Sequence, residues 1–210
     1  MSHLVSKQPW GTIDFDKMTG QILVQEDWYY LWRTWPGVSA NWTYQEKRAA
    51  HTRIDRSIWA VWSNRLALTV RSKSGPPPRF GTRAKINFDV RWVTKPSHWA
   101  VTVWKMPASA TPTGPHRSFV RSATREIELN TADLAPRGAG NAAGASTASF
   151  LTPPHEYGHT LRNPDEYAAS SPFISDTTSL LNIGREIRGR HLNLVVDALN
   201  RLTPDLVFTA

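Results

Sequence analysis

The chain has 210 residues, 40% of them hydrophobic and ten of them tryptophan, which suits one folded core and excludes a disordered chain. Cysteine is absent, so disulfides, thiolate metal sites and cysteine catalysis are excluded, and no segment approaches the roughly 18–20 apolar residues of a membrane-spanning helix. The net charge of +8 is uneven: residues 151–210 carry five Arg against seven Asp or Glu, which leaves +10 on residues 1–150, where every Trp also lies.

A basic, Trp-rich half suits nucleic acid, an anionic envelope surface or an acidic partner. A solvated basic surface over an aromatic core produces the same pattern, and this reading is the one carried forward; a nucleic-acid partner is not expected.

Residues 1–40 open without an apolar run of signal-peptide length. They hold Trp10, Trp28, Trp32 and Trp35, either as a docking element or as the first layer of a shared core. The expectation is one domain over 1–210, with this Trp-rich segment followed by a helix and sheet over 41–134.

From 41 to 65 the sequence predicts an amphipathic helix. Thr43 and Glu46 form an S/T-x-x-E capping box, and Tyr44, Ala50, Ile54, Ile58, Val61 and Trp62 recur at helical spacing. The period then falls to two. Leu66, Leu68 and Val70 share one face of a strand; Ile86, Phe88, Val90 and Trp92 share one face of the next. Residues 98–106 are a third strand, reached through the short turn TKPS, and 118–130 a weaker fourth. Strands joined this way predict a small, mainly antiparallel sheet. An edge strand within 83–106 would be available to align an extended peptide. Two low-complexity stretches, 107–116 and 135–149, read as surface loops, the second as a flexible segment leading into the motif below.

The segment HEYGHTLRNPDEY (155–167) carries the chemistry. Thr152 as N-cap and Pro153 in the first turn predict a helix running to about Asn163. On it His155 and His159 lie one turn apart on one face, a spacing that lets two imidazoles reach one zinc ion at about 2.0–2.1 Å. Glu156 is displaced around the helix and can act as general base on a water that the cation acidifies. HExxH alone is a weak signal; the helix start, the small Gly158 and the carboxylates that follow strengthen it. Zinc needs a third protein ligand. Asn163-Pro164 should end the helix and turn Asp165 or Glu166 back toward the metal, while Glu186, from a later segment, offers a different solution. The order of candidates is Asp165, Glu186, Glu166. A final helix over 190–202 presents Leu192, Val195, Val196, Leu199 and Leu202 on its apolar face.

HEYGHTLRNPDEY resembles the zinc signature of metzincin peptidases, HExxHxxGxxH/D, in the snapalysin-type variant with Asp as third ligand. The resemblance implies a zincin-like α+β fold: a backing helix, a small sheet, the HExxH helix, a turn and a C-terminal helix. It implies Zn2+ held by His155, His159 and Asp165, with Glu156 as base. Three positions depart from the pattern. Arg162 stands where the family has the helix-ending Gly, and a side chain there must bear a left-handed backbone. SLLNIG (179–184) is similar to the Met-turn, with Leu181 for Met and Ile183 for the tyrosine that often follows; oxyanion support then falls to Tyr167 or His191.

Together with IWAVWSNR, NFDVRWV, HWAVTVWKMP and SLLNIGREIRGRH, the motif also resembles bacterial metallopeptidase effector domains, including those attached to type VI secretion spike proteins of the VgrG kind. That implies a bacterial toxin made in the cytoplasm without a signal peptide and delivered to a target cell's periplasm. Its partners would be a protein or peptide substrate, a cognate immunity protein and the secretion spike. The competing readings are a Trp-rich basic binding module with a structural zinc, and a zinc amidase acting on cell wall.

Overall fold

The computed structural model describes residues 2–96, 98–107, 117–135, 137–141 and 144–210, with 137–141 and 144–150 described by backbone only. The fold is α+β. In chain order the elements are β1 (His3–Gln8), β2 (Gly11–Asp16), β3 (Gln21–Thr34), α1 (Tyr44–Trp62), β4 (Ala67–Ser72), β5 (Arg83–Val93), β6 (Trp99–Lys105), β7 (Phe119–Arg121), β8 (Glu126–Asn130), β9 (Arg137–Asn141), β10 (Gly144–Phe150), α2 (Thr152–Thr160), α3 (Asn193–Leu202) and β11 (Leu206–Thr209).

The Trp-rich N-terminal segment supplies the centre of the sheet. β3 alternates Ile22, Val24, Glu26, Trp28 and Tyr30 inward, all buried, and its length lets it serve different neighbours along its two halves. On one side it pairs with β5 in parallel from Gln21 to Tyr29. On the other it pairs with β2, antiparallel, over Gln21–Gln25 and then with β6, in parallel, over Trp28–Thr34. The sheet order is β11-β4-β5-β3-β6-β8-β7, with β1 paired only to β2.

The expectation of a mainly antiparallel sheet holds in part: five of the eight pairings of this sheet are antiparallel, but its centre is parallel. β5, β3, β6 and β8 run parallel, and antiparallel pairs are confined to the flanks, β1–β2–β3, β4–β5, β4–β11 and β7–β8. β5 and β6, expected to be joined by a short turn, do not form a hairpin: they lie on opposite sides of β3 and point the same way. Alternation reports which face of a strand is buried and carries no information on the direction of its neighbour. The expected strand over 118–130 is two strands, β7 and β8, paired antiparallel around 122–125, where Arg125 takes a left-handed φ of 57°. Where a loop was expected over 135–149, β9 and β10 pair antiparallel as a two-stranded sheet separate from the main one. The two strands, RGAGN and GASTASF, are mostly Gly, Ala and Ser, and carry no alternation of large apolar side chains that would announce them. Residues 108–116 of the other expected loop lie outside the described residues.

α1 begins at the foreseen capping box: Glu46 N donates to Thr43 Oγ1 (3.2 Å) and Thr43 N to Glu46 Oε2 (2.7 Å). It buries Ala50, Ile54, Ile58 and Trp62, packing on β5 and α2. Each of those Ile side chains contributes roughly 1.5–3 kcal/mol by leaving water. Tyr44, expected on the buried face, is 67% exposed; it lies in the first turn of the helix, its ring centroid 6.4 Å from that of Trp92 on β5. Trp10, Trp28, Trp62 and Trp99 are buried, and Trp32, Trp42 and Trp92 pack partly buried against the same core. No helix among the described residues is long and apolar enough to cross a membrane.

Candidate metal centre

α2 spans Thr152–Thr160, one residue earlier than its capping pattern suggested: Leu151 is the N-cap, without a side-chain bond, and Pro153 and Pro154 occupy the first turn, where missing N–H groups cost nothing. Two anchors fix it from the core. Trp62 Nε1 donates to Pro154 O at 2.9 Å, and Thr160 Oγ1 lies 2.5 Å from Glu26 Oε1 in the centre of β3.

His155 and His159 project from one face of this helix. His155 Nδ1 lies 2.7 Å from Leu180 O and His159 Nδ1 2.7 Å from Asn163 O. A carbonyl oxygen only accepts, so each Nδ1 carries the proton and each Nε2 presents its lone pair. The two Nε2 atoms stand 3.1 Å apart, and Asp165 Oδ1 lies 3.1 Å from the first and 3.2 Å from the second. Tetrahedral zinc with arms of 2.0–2.1 Å spaces its ligands about 3.3–3.4 Å apart. Three acceptor atoms converging to within a few tenths of that spacing form a group that could hold a metal ion. The charge distribution agrees. Burial opposes ionisation of Asp165, but the adjoining imidazoles of His155 and His159 outweigh it and hold the carboxyl well below its usual range. Burial likewise disfavours a charge on His159, yet Asp165, Glu156 and Asn163 O raise its proton affinity. The cluster attracts positive charge.

The chain reaches Asp165 through the residue that breaks the family pattern. Arg162 adopts φ 63°, the left-handed conformation that glycine would take freely. Its N–H donates to His159 O at 2.9 Å, and Asn163 Nδ2 binds Gly158 O and His191 O, each at 3.0 Å, closing the helix end before Pro164.

The other candidate ligands lie elsewhere. Glu166 is buried in a network of its own, gripped by Arg190 at 2.7 and 2.8 Å and by Ser179 Oγ at 2.5 Å, while its N–H donates to Leu181 O. With its carboxylate taken up by Arg190, Ser179 and His191, Glu166 is not part of the group that Asp165 forms with the two histidines. Glu186 pairs with Arg188 at 2.8 Å, its side chain is 64% exposed, and it does not line the cleft around the histidines. His191 is buried, accepts from Arg188 N at Nδ1 (3.1 Å) and faces Glu166 Oε1 at Nε2 (3.1 Å); it braces the loop behind the site and does not line the cleft. Tyr167 does line it. Its ring lies nearly parallel to that of His155, centroids 6.3 Å apart, and burial plus its hydrogen bond to Asp165 push the phenol above its ordinary value, keeping it a donor at neutral pH.

Glu156 lines the same cleft, of about 660 Å3, while only 5% exposed. Burial pushes its carboxyl up to about 7, against the opposing pull of His155 and His159. Its Oε2 is buried without a hydrogen-bond partner among the described residues. An orphaned carboxylate oxygen beside a polar cleft is costly unless something brought into the cleft satisfies it.

Leu180 and Leu181, in the segment similar to a Met-turn, are fully buried. Leu180 supplies the carbonyl that orients His155; Leu181 packs on Gly158, where a Cβ would meet its Cδ2 at 2.9 Å.

Two elements of the site escaped the sequence reading. Glu26 sits at an inward position of β3, visible in the Ile22-Val24-Glu26-Trp28 alternation, where an acid is out of place. Asp133, in a short 3-10 turn (Thr131–Leu134), holds Ser118 Oγ (2.5 Å) and Asn130 N (2.7 Å), and so secures the start of β7 where Ser118, Phe119, Val120 and Ser122 border the cleft. No local signal marks that role. The chain matches no protein-family model, no curated protein and no solved structure.

Proposed function

We propose that this protein is a zinc-dependent peptidase in which His155, His159 and Asp165 hold the metal and Glu156 is the general base. The observation that carries the reading is the juxtaposition of three converging acceptor atoms with a buried, partnerless Glu156 oxygen in one open cleft. A structural zinc site is closed by its ligands and has no use for such a carboxylate. When bound, zinc would polarise the scissile carbonyl and acidify a water.

The chain's own groups supply the rest. Glu156, poised by burial near neutrality, accepts a proton from the attacking water and passes it to the departing amine nitrogen. Tyr167, protonated and beside His155, turns its O–H from Asp165 to the carbonyl oxygen as negative charge gathers there. Substrate alignment falls to β7. The edge strand anticipated within 83–106 is interior, since β5 pairs with β3 and β4 and β6 with β3 and β8, whereas β7 pairs with β8 alone and borders the cleft. An extended peptide can add to that free edge. The roles of a delivered effector and of an immunity partner belong to this proposal on sequence resemblance alone.

The test is turnover of a mixed quenched-peptide substrate by zinc-reconstituted protein and by Glu156→Gln. Cleavage that disappears in the variant, with zinc retained, supports the reading. Cleavage that survives in the variant removes it.

A further inference from the structure

Two arginines border the cleft, Arg162 at the end of α2 and Arg117 just before β7. Both are exposed, and neither guanidinium group has a hydrogen-bond or ion-pair partner among the described residues. The other charged lining groups are committed: Asp165 lies between the two histidines, and Glu156 is buried. With a divalent ion in place, the outward charge of the cleft is therefore the two guanidinium groups. Arg162 is also held at φ 63°, where Gly would close the helix without strain. A side chain kept at such a position, with no hydrogen bond or ion pair to its guanidinium among the described residues, points to a use in the cleft.

Resting on the peptidase reading, we infer that Arg162 and Arg117 select peptides carrying an acidic side chain close to the scissile bond. Arginine suits this task, because its planar fork binds a carboxylate through two parallel N–H donors and stays charged at any physiological pH. Asp or Glu near the cleaved bond would lie between the helix end and the start of β7.

The experiment uses pairs of capped peptides that differ only by Glu or Gln, scanned position by position. Turnover is measured with the zinc-reconstituted protein, and affinity by calorimetry with zinc-loaded Glu156→Gln. At one or two positions the Glu peptide should be cleaved and bound roughly tenfold better than its Gln partner, a preference that shrinks with added salt. The Glu/Gln ratio should fall toward one in Arg162→Gln and Arg117→Gln, and Arg162→Glu should favour Lys peptides. Arg162→Gly, which relaxes the backbone, separates loss of the charge from loss of the fold. Equal ratios at every position, or a ratio unchanged in the double variant, overturn the inference. Turnover without selectivity leaves the peptidase reading and removes this one; selective binding without turnover does the reverse. Neither binding nor turnover overturns both.

Discussion

Leu181 lies against Gly158 so closely that a Cβ on the glycine would stand 2.9 Å from Leu181 Cδ2 and 3.2 Å from the Trp62 ring. The same segment delivers Leu180 O to His155 Nδ1, so the packing of a leucine sets the orientation of an imidazole. Gly158→Ala should therefore cost about 1–2 kcal/mol despite alanine's better helix propensity, and weaken zinc binding as well. Leu181→Ala should cost about 2–5 kcal/mol through the cavity it opens, whereas Leu181→Met, similar in volume, should cost less than about 1.5 kcal/mol. Denaturant unfolding and zinc titration check these; a Gly158→Ala protein with full stability and zinc affinity would show that Leu181 yields.

Zinc content discriminates among the acidic side chains. His155→Ala, His159→Ala and Asp165→Ala should each weaken zinc binding by more than about 100-fold, while Glu186→Ala should leave it unchanged. Chelation should lower the melting temperature of the parent and leave that of Asp165→Ala unmoved. Mass-spectrometric metal analysis after dialysis reads the outcome, and loss of zinc in Glu186→Ala would contradict the ligand set.

Glu26 makes stability pH-dependent. Complete burial pushes its carboxyl up to about 8 from 4.5, against the lowering effect of its bonds to Thr160 and Trp28. The protonated acid also fits the geometry: it can donate to Thr160 Oγ1, which donates on to Tyr157 O, while its other oxygen accepts from Trp28 Nε1. Because the folded pKa is raised, this stability is fully present below pH 4.5 and is lost as pH rises toward 8, by an amount on the order of a few kcal/mol. Glu26→Gln, which can donate to Thr160 and accept from Trp28 without ionising, should flatten that decline. Urea midpoints of parent and variant from pH 5 to about 9 measure it; parallel curves would show that Glu26 does not titrate in this range.

Arg162 presents stability and use in opposition. Arg162→Gly should match or exceed the parent by up to about 1 kcal/mol, since relief at φ 63° outweighs the extra freedom glycine gives the unfolded chain. The expected loss is in discrimination between acidic and neutral peptides. A variant destabilised by more than about 1 kcal/mol would mean that the guanidinium has a structural contact in solution.

How much was legible in the sequence depends on whether the governing physics was local. The capping box of Thr43 and Glu46, the buried face of α1 and the one-turn spacing of His155 and His159 follow from helical periodicity, which a linear sequence displays in full. Strand alternation likewise told which side chains of β4 and β5 are buried, Leu68, Val70, Ile86, Phe88 and Val90 among them. It was silent on who pairs with whom, because parallel and antiparallel neighbours bury the same alternate positions; the central place of β3 and the hop of the chain across it were decided by tertiary packing. The same distinction divides the site. The motif itself named His155, Glu156 and His159. The sequence ranked Asp165 ahead of Glu186 and Glu166; that Asp165 converges with the histidines while the other two lie apart depends on where the chain goes after Arg162 turns left-handed, with Asn163 holding Gly158 O and Arg190 holding Glu166. Glu26 beneath Thr160, 134 residues away in sequence, and β7 bordering the cleft are contacts between distant segments, and only the folded chain brings them together.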